Sequence, residues 1–145
     1  MRIIIDADAC PVLDLAIREA LKRELECIAV FDNTHVIQRE GVRSIIVDKG
    51  ADCADLKIAN IVSRGDIVIT QDYGLAAMCL GKGAAALNQN GLIFTDKNIE
   101  NLLFTRYASK KARMAGKRTK GPPKRTAEDD KAFMTAFLKL LEETV

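Results

Sequence analysis

The chain has 145 residues, 48% of them hydrophobic and 29% charged, with a formal net charge of +2. This length suits one domain, residues 1–145, and this balance of residue types excludes a disordered chain. No apolar run approaches the roughly 18 residues of a membrane span, and Asp6 interrupts the first apolar run too early for a signal peptide. We therefore expect a cytoplasmic protein that makes no contact with membranes.

Five short apolar runs rich in β-branched residues predict strands that are buried on both faces of a parallel sheet. These runs are residues 3–5, 28–31, 44–47, 67–70 and 92–95. Segments with helical periodicity follow several of them, beginning at Pro11, at 53–64, at 73–80 and at Lys97. This alternation predicts an α/β fold with a doubly wound, mainly parallel five-stranded sheet in a Rossmann-like three-layer arrangement.

The charges divide unevenly along the chain. Residues 1–105 hold 11 Lys and Arg against 15 Asp and Glu, whereas residues 106–125 hold nine Lys and Arg and no Asp or Glu. We call residues 106–125 the basic segment. Apolar periodicity ends after Tyr107, and glycines and prolines interrupt the segment, so we predict a flexible connection there. Residues 126–145 then predict an amphipathic C-terminal helix, capped by Thr126, that packs back on the domain.

An aspartate follows each predicted strand, and three more stand near predicted helix starts. One such aspartate is most simply a helix cap, but several carboxylates close together repel one another unless some are protonated or a cation lies among them. Carboxylate ligation without His or Cys selects Mg²⁺ or Mn²⁺, which serves phosphoryl chemistry. We therefore predict a cation site at the carboxyl edge of the sheet. The aspartates are Asp6, Asp32, Asp48, Asp72 and Asp96 after strands, and Asp8, Asp52 and Asp55 near helix starts.

Three motifs occur in a specific order and spacing: DADACP at residues 6–11, GADCAD at 50–55 and GDIVITQD at 65–72. Through these motifs the chain resembles, over nearly its whole length, the YaiI/YqxD family of bacterial proteins, which belongs with the PIN-like nuclease folds. The resemblance implies a PIN-like domain and a metal-dependent nuclease, with RNA a better candidate substrate than DNA.

The resemblance also implies roles for individual residues. Asp6, either Asp52 or Asp55, and Asp72 are the implied ligands of Mg²⁺ or Mn²⁺. Asp8 is the implied additional group that ligates the metal or orients water, so the implied catalytic residues are Asp6, Asp8 and Asp72.

Three further residues are candidate accessory groups. Thr70 is placed to form a hydrogen bond with a carboxylate or a metal-bound water, and Lys49 to meet a phosphate. Cys10 stands at a predicted helix start, where the helix dipole favours a thiolate. The aspartates around Cys10 oppose that ionisation, so we interpret it as a small packing residue rather than a nucleophile.

The basic segment predicts contact with nucleic acid, because its cations complement an acidic metal site. If six of its side chains met phosphates, the logarithm of affinity would fall against log salt with a slope of roughly −5. Tyr107 is its single aromatic residue, so base stacking is not expected to be the main mode of binding. The candidate phosphate contacts are Arg106, Lys110, Lys111, Arg113, Lys117, Arg118, Lys120, Lys124 and Arg125.

Two alternatives stay open. An apolar strand followed by Asp-x-Asp also begins the haloacid dehalogenase-type phosphatases, which would make Asp6 a nucleophile and Asp8 a general acid and base. The second alternative is a PIN-like module that binds RNA or a protein through the basic segment and does not cut.

Overall fold

The computed structural model describes residues 1–8, 10–32, 40–50, 53–114 and 124–143. Strands and helices alternate through most of the chain, as the hydrophobic pattern predicts. The elements are β1 (Arg2–Asp6), α1 (Leu13–Lys22), β2 (Glu26–Asp32), β3 (Arg43–Val47), α2 (Cys53–Ile61), β4 (Ile67–Ile69), α3 (Tyr73–Gly81), β5 (Ala85–Leu87), α4 (Asp96–Met114) and α5 (Ala127–Glu143).

The five strands form one sheet in the order β3-β2-β1-β4-β5, and every pair of neighbours is parallel. The chain builds outward from β1 through β2 to β3, and then returns to the other side of β1 to place β4 and β5. The order therefore reverses between β1 and β4. In such sheets the carboxyl ends of the two strands at the reversal flank a crevice in which ligands bind.

Helices cover both faces of the sheet, which makes the fold a three-layer α/β structure. Successive residues of a strand point to opposite faces. Ile3 and Ile5 accordingly pack with residues of α1 and α5, whereas Ile4 packs with residues of α2, α3 and α4. All three isoleucines are fully buried, which explains why the strand sequences are continuously apolar rather than alternating.

The fifth strand is not the one that the sequence predicts. Residues 92–95 form no parallel strand; Ile93 makes one antiparallel bridge with Leu87, and the Phe94 N–H donates to the carbonyl of Ala86. The strand itself is β5, whose small side chains lack the β-branched signal of a strand. Because 92–95 folds back beside β5, Asp96 begins α4 instead of ending a strand.

The basic segment also differs from its prediction. Helix α4 continues to Met114, so residues 106–114 are helical where we expected a flexible connection. These residues are rich in Ala, Lys and Arg, which are strong helix formers and sustain an exposed helix without an apolar stripe. Residues 115–123 lie outside the described part of the chain.

The C-terminal helix packs back on the sheet, as predicted. Phe133 and Phe137 of α5 are fully buried in the same layer as α1, and their rings stack with centroids 5.3 Å apart. The N–H of Thr126 donates to Asp129 Oδ2 over 2.9 Å, which is one half of a capping box at the start of α5. Across the described ranges, no helix has both the length and the apolar character to cross a membrane.

Candidate functional site

A cavity of about 370 Å³ opens at the carboxyl ends of β1 and β4, where the strand order reverses. Three parts of the chain meet there: the segment after β1, the segment between β4 and α3, and the turn after β5. The cavity is lined by Asp6, Asp8, Cys10, Ile69, Thr70, Gln71, Asp72, Tyr73 and Gln89.

The Thr70 hydroxyl connects two of the carboxylate residues. Its Oγ1 donates to Asp6 Oδ2 over 3.0 Å and accepts the backbone N–H of Asp72 over 3.0 Å. Asp72 is also the N-cap of α3, since its Oδ1 accepts the Leu75 N–H over 3.0 Å. Thr70 is almost fully buried, so these bonds fix Asp6 relative to Asp72. The Thr-x-Asp spacing therefore has a local physical reason, because it closes a side-chain turn at the end of β4.

Asp8 is held from a different strand. The backbone N–H at Asp32, the last residue of β2, donates to Asp8 Oδ2 over 2.9 Å. This bond joins the segment after β1 to the end of β2 and directs the Asp8 carboxylate to the same cavity as Asp6 and Asp72. The Asp32 side chain does not line the cavity, so Asp32 contributes to the site through its backbone N–H and not through its carboxylate.

The electrostatics of the cavity are acidic. Burial raises the pKa of Asp6, the hydrogen bond from Thr70 opposes that rise, and the negative charges of Asp8 and Asp72 add to it. Among the described residues that line the cavity there is no Lys or Arg. The site therefore favours a proton or a cation beside Asp6.

The donor set suits a hard divalent cation, because carboxylate, hydroxyl and amide oxygens are the groups that Mg²⁺ and Mn²⁺ prefer. Within the described ranges, no three His, Cys, Asp or Glu side chains are grouped closely enough to hold an ion between them. Mg²⁺ does not need such a cage, since it keeps several waters and commonly takes one or two carboxylates. The residues present therefore fit Mg²⁺ or Mn²⁺ bound through one or two carboxylates and water.

The other residues with predicted metal or phosphate contacts lie elsewhere. Asp52 lies outside the described residues. Asp55 is in the first turn of α2 and is not among the residues that line the cavity. Lys49 is exposed in the segment after β3 and does not line the cavity either. The structure thus brings Asp6, Asp8 and Asp72 together but does not add Asp55 to them.

Cys10 lines the cavity, but its thiol is not set up as a nucleophile near neutral pH. Burial raises the pKa of Cys10 to about 11, the Asp6 charge raises it further, and a backbone hydrogen bond from Val12 and the charge of Arg125 act in the other direction. The thiol is therefore protonated near pH 7, as the packing interpretation requires.

Arg125, predicted to contact phosphate, is instead used within the chain. Its guanidinium donates to the carbonyl of Gln89 over 2.9 Å, to Asn90 Oδ1 over 2.8 Å, and to Asp130 Oδ1 over 2.7 and 3.0 Å. The side chain is only 22% exposed. Arg125 thus links the turn after β5 to the first turns of α5, on the side of the cavity where Gln89 lies. We call this set of hydrogen bonds the Arg125 clasp.

The sequence did not predict Ile69, Gln71, Tyr73 or Gln89 as cavity residues, and of these Gln89 lies far from every predicted motif. Its side-chain Oε1 is buried, and no donor in the described part of the chain reaches it. The signal would have been β5, since a strand at Ala85–Leu87 puts Asn88, Gln89 and Asn90 at the carboxyl edge of the sheet. Because the sequence predicts the last strand at 92–95, it does not indicate that this turn lies at the carboxyl edge.

The remaining basic residues divide into three groups. Lys111 and Lys124 are exposed, and Arg106, Lys110 and Arg113 belong to α4. The others, Lys117, Arg118 and Lys120, lie outside the described residues.

Comparison with known proteins shows close relatives along the whole chain. The chain is 49% identical over 142 residues to a UPF0178 protein of Ruminiclostridium cellulolyticum, covering 98% of this chain and 93% of the relative. It is 48% identical over 143 residues to a UPF0178 protein of Exiguobacterium sibiricum, covering 99% and 98%. A UPF0178 protein of Bacillus anthracis is 46% identical over 144 residues, covering 97% and 99%.

Among solved structures, a crystal structure of Rae1 (YacP) from Bacillus subtilis superposes with a TM-score of 0.46 and 17% identity, covering 99% of this chain and 90% of that one. The family described as "Uncharacterized BCR, YaiI/YqxD family" matches residues 4–143. Because the family model matches nearly the whole chain and the relatives are nearly half identical to it, the chain belongs to the YaiI/YqxD family.

Proposed function

We propose that this protein is a nuclease that uses Mg²⁺ or Mn²⁺ to hydrolyse phosphodiester bonds, and that its substrate is RNA rather than DNA. The observation that supports the proposal is the meeting of Asp6, Asp8 and Asp72 in one open cavity where the strand order reverses. Burial and the negative charges of Asp8 and Asp72 disfavour the ionised Asp6 carboxylate, no Lys or Arg lines the cavity among the described residues, and a bound cation would offset that cost.

In this proposal Asp6 and Asp72 hold the cation, which would neutralise phosphate charge and activate water there. Thr70 keeps the Asp6 carboxylate in place through its 3.0 Å hydrogen bond. Asp8, held by the backbone of Asp32, ligates the metal or orients water. Burial favours protonated Asp6 in the absence of a cation, so cation binding and proton release are coupled at this residue.

An acidic cavity repels a polyanion, so substrate binding requires positive charge elsewhere. The basic segment supplies it, with Lys111 and Lys124 exposed on either side of the residues outside the described part. Cations on this segment would hold the phosphate backbone, largely without regard to base sequence. The preference for RNA over DNA rests on the resemblance to PIN-like nucleases.

The test is cleavage of labelled single- and double-stranded RNA and DNA with Mg²⁺, with Mn²⁺ and with a chelator. We expect metal-dependent cleavage that falls at least about 100-fold in Asp6→Asn and in Asp72→Asn. Asn is as good an N-cap as Asp, so Asp72→Asn keeps the start of α3. Asp48→Asn is the matched control, because Asp48 is an exposed carboxylate at the end of β3 that does not line the cavity.

Two outcomes would contradict the proposal. The first is the absence of cleavage under every condition. The second is cleavage that Asp6→Asn and Asp72→Asn leave unchanged while the folded fraction, checked by thermal unfolding, is that of the unmodified chain.

The phosphatase alternative has one observation in its favour, which is that the hydroxyl of Thr70 contacts Asp6 in the cavity that Asp8 also lines. Two observations count against it. A phosphatase of that type also needs a lysine near the two aspartates, but Lys82, the first lysine after Asp72, donates its Nζ to the carbonyl of Ala59 and is not among the cavity residues. Burial also raises the pKa of Asp6, which opposes its use as a nucleophile. Trapping of an aspartyl-phosphate mimic by beryllium fluoride, with hydrolysis of small phosphate monoesters, would identify this activity.

The non-catalytic alternative predicts the same cavity without turnover. Mg²⁺ binding by calorimetry, salt-sensitive RNA binding and no cleavage would together favour it over the nuclease.

A further inference from the structure

Helix α4 carries two aromatic side chains that are open to solvent. Phe104 is 70% exposed and Tyr107 is 61% exposed, although both are large rings. The chain has five Phe and two Tyr. The other five are used in packing: Tyr73 meets Phe94 edge to face, and Phe31, Phe133 and Phe137 are fully buried. Phe104 and Tyr107 are therefore the two rings that the core does not use.

The inner side of α4 shows that this exposure follows from the docking of the helix. Ile99 is buried, and Leu102 and Leu103 pack against the core layer that contains α2 and α3. These residues hold α4 to the domain and leave Phe104 and Tyr107 on the outside. One exposed apolar side chain needs no explanation, but two rings one helical turn apart form a surface of their own.

The spacing of the two rings suits neighbouring bases. Residues three apart on a helix are surface neighbours, with an axial rise of about 4.5 Å between them. Lys111 lies one further turn along, four residues after Tyr107, and is exposed. Along the outside of α4, the two aromatic rings of Phe104 and Tyr107 are thus followed by the cation of Lys111.

The charge of the same region selects the kind of partner. The basic segment begins at Arg106, between the two rings, and holds nine Lys and Arg without one Asp or Glu. A segment with this density of cations favours binding to a polyanion, and exposed aromatic rings favour stacking against flat π-faces. A single-stranded nucleic acid has both, whereas a duplex keeps the faces of its bases stacked inside. A lipid surface would require a wider apolar face, but the neighbours Asn101 and Thr105 are exposed polar residues.

We propose that Phe104 and Tyr107 form a stacking platform for the bases of single-stranded RNA, while Lys111, one turn further along α4, contacts its phosphates. The choice of RNA rests on the proposed function; the platform adds that the substrate is single-stranded and is held partly by its bases. The proposal differs from the expectation that stacking is not the main mode of binding, because Phe104 lies just before the basic segment and adds a second exposed ring to Tyr107.

Helix α4 is connected to the cavity through α3. Helix α4 packs against α3, and α3 begins at its N-cap Asp72, which lines the cavity. RNA bound on the outside of α4 would therefore lie in the same helical layer as α3, whose N-cap lines the cavity.

The experiment measures binding of a fluorescent single-stranded RNA of about 12 nucleotides by anisotropy, with a chelator present so that no cleavage occurs. We expect Phe104→Ala and Tyr107→Ala each to weaken binding about 5- to 150-fold. The slope of log affinity against log salt should not change, because no phosphate contact is lost. Lys111→Gln is the contrasting variant and should reduce the magnitude of that slope by about 1.

Matched substitutions separate stacking from apolar contact. Phe104→Trp keeps a π-face and should bind at least as well as the unmodified chain, whereas Phe104→Leu keeps apolar area without a ring and should bind as weakly as Phe104→Ala. Duplex RNA of the same length should bind all of these variants equally. Because both rings are exposed, the thermal unfolding of each variant should match that of the unmodified chain.

Three results would overturn the platform: no binding of single-stranded RNA by the unmodified chain, equal binding by Phe104→Trp and Phe104→Leu, or an unchanged affinity in the Phe104→Ala, Tyr107→Ala double variant. Aromatic-dependent binding to anionic vesicles, with RNA binding unaffected, would also overturn it and identify a membrane surface instead. Hydrolysis of a small chromogenic phosphodiester with Mn²⁺ tests the metal site separately, so failure of the platform and failure of the nuclease are distinguishable.

Discussion

The contact between the turn after β5 and helix α5 can be tested by Gly91→Ala. Gly91 has a φ of +85°, and a Cβ built on it would lie 2.7 Å from the carbonyl carbon of Ala132, and closer still to the carbonyl oxygen. The same turn carries Gln89 into the cavity and is clasped to α5 by Arg125. The close approach of Gly91 is therefore part of what positions one wall of the site.

The cost of Gly91→Ala has two parts. A left-handed conformation costs a non-glycine residue about 1–2 kcal/mol. Ordinary contact begins at 3.4 Å, so the carbonyl carbon of Ala132 would have to move by about 0.7 Å, the difference between 3.4 and 2.7 Å. Phe133, the next residue, is fully buried, so the helix cannot retreat without disturbing the core. Overpacking of this kind costs about 1–3 kcal/mol. We expect a total loss of about 2–5 kcal/mol, out of the roughly 5–15 kcal/mol that is typical of a domain.

Equilibrium unfolding in urea measures this loss, and the midpoint should fall while the m-value stays constant. Gly65→Ala is the matched control. Gly65 has a φ of +87°, but nothing lies within 4 Å of a Cβ built on it, so only the conformational cost of about 1–2 kcal/mol applies. Equal losses in the two variants would show that the turn does not press against α5 and would refute the reasoning.

The remaining predictions concern charges around the cavity. Because burial and neighbouring charges raise the pKa of Asp6, the folded chain keeps this proton to higher pH than the unfolded chain, and the free energy of unfolding falls as the pH rises through that window. Asp6→Asn should therefore stabilise the metal-free protein at pH 7 and do so less near pH 4, as measured by urea unfolding with a chelator. Lower stability of Asp6→Asn at pH 7 would contradict this. Arg125→Gln should cost about 1–2 kcal/mol through loss of the clasp to Asp130 and the turn, whereas Lys124→Gln should change stability little; equal effects would show that the clasp is not formed in solution. Alkylation of Cys10, followed by mass spectrometry of its peptide, should be slow at pH 7 and rise about tenfold per pH unit toward its pKa of about 11. A rate that is already independent of pH near 7 would mean that the thiolate forms readily and that Cys10 deserves a catalytic test.

Most of the sheet was predictable from the sequence, and the failure at its last strand has a clear cause. β1, β3 and β4 are short runs rich in Ile and Val, and β2 is a longer apolar run; β1, β2 and β4 are buried on both faces, whereas the edge strand β3 is partly exposed. Ala85–Leu87 forms β5 only because the exposed edge of β4 pairs with it. Residues 92–95 have the stronger local preference for a strand, but they fold back beside β5. At this edge, tertiary pairing overrides propensity.

The residues of the candidate site likewise divide into those that the sequence predicts and those that only the tertiary structure reveals. Asp6, Asp8 and Asp72 were predictable because each stands where an element ends, which is a local property of the chain. Thr70 was predictable as a candidate because it lies two residues before Asp72 and can bond to it locally. Gln89 was not, because its position depends on a strand that local preference does not reveal.

The sequence by itself determined most of the element types, the two-sided burial of β1, β2 and β4 and the placement of carboxylates after β1 to β4, because these properties depend on residues close together in the chain. Only the tertiary structure decided which carboxylates meet. The order β3-β2-β1-β4-β5 puts the end of β1 beside the end of β4, so Asp6 lies near Asp72, while Asp48 lies at the edge strand and Asp96 begins a helix. Strand order arises from packing between residues more than 60 positions apart, such as Ile3 and Ile67. The same long-range packing directs Arg125 into hydrogen bonds within the chain, and it leaves Phe104 and Tyr107 on the outside of α4.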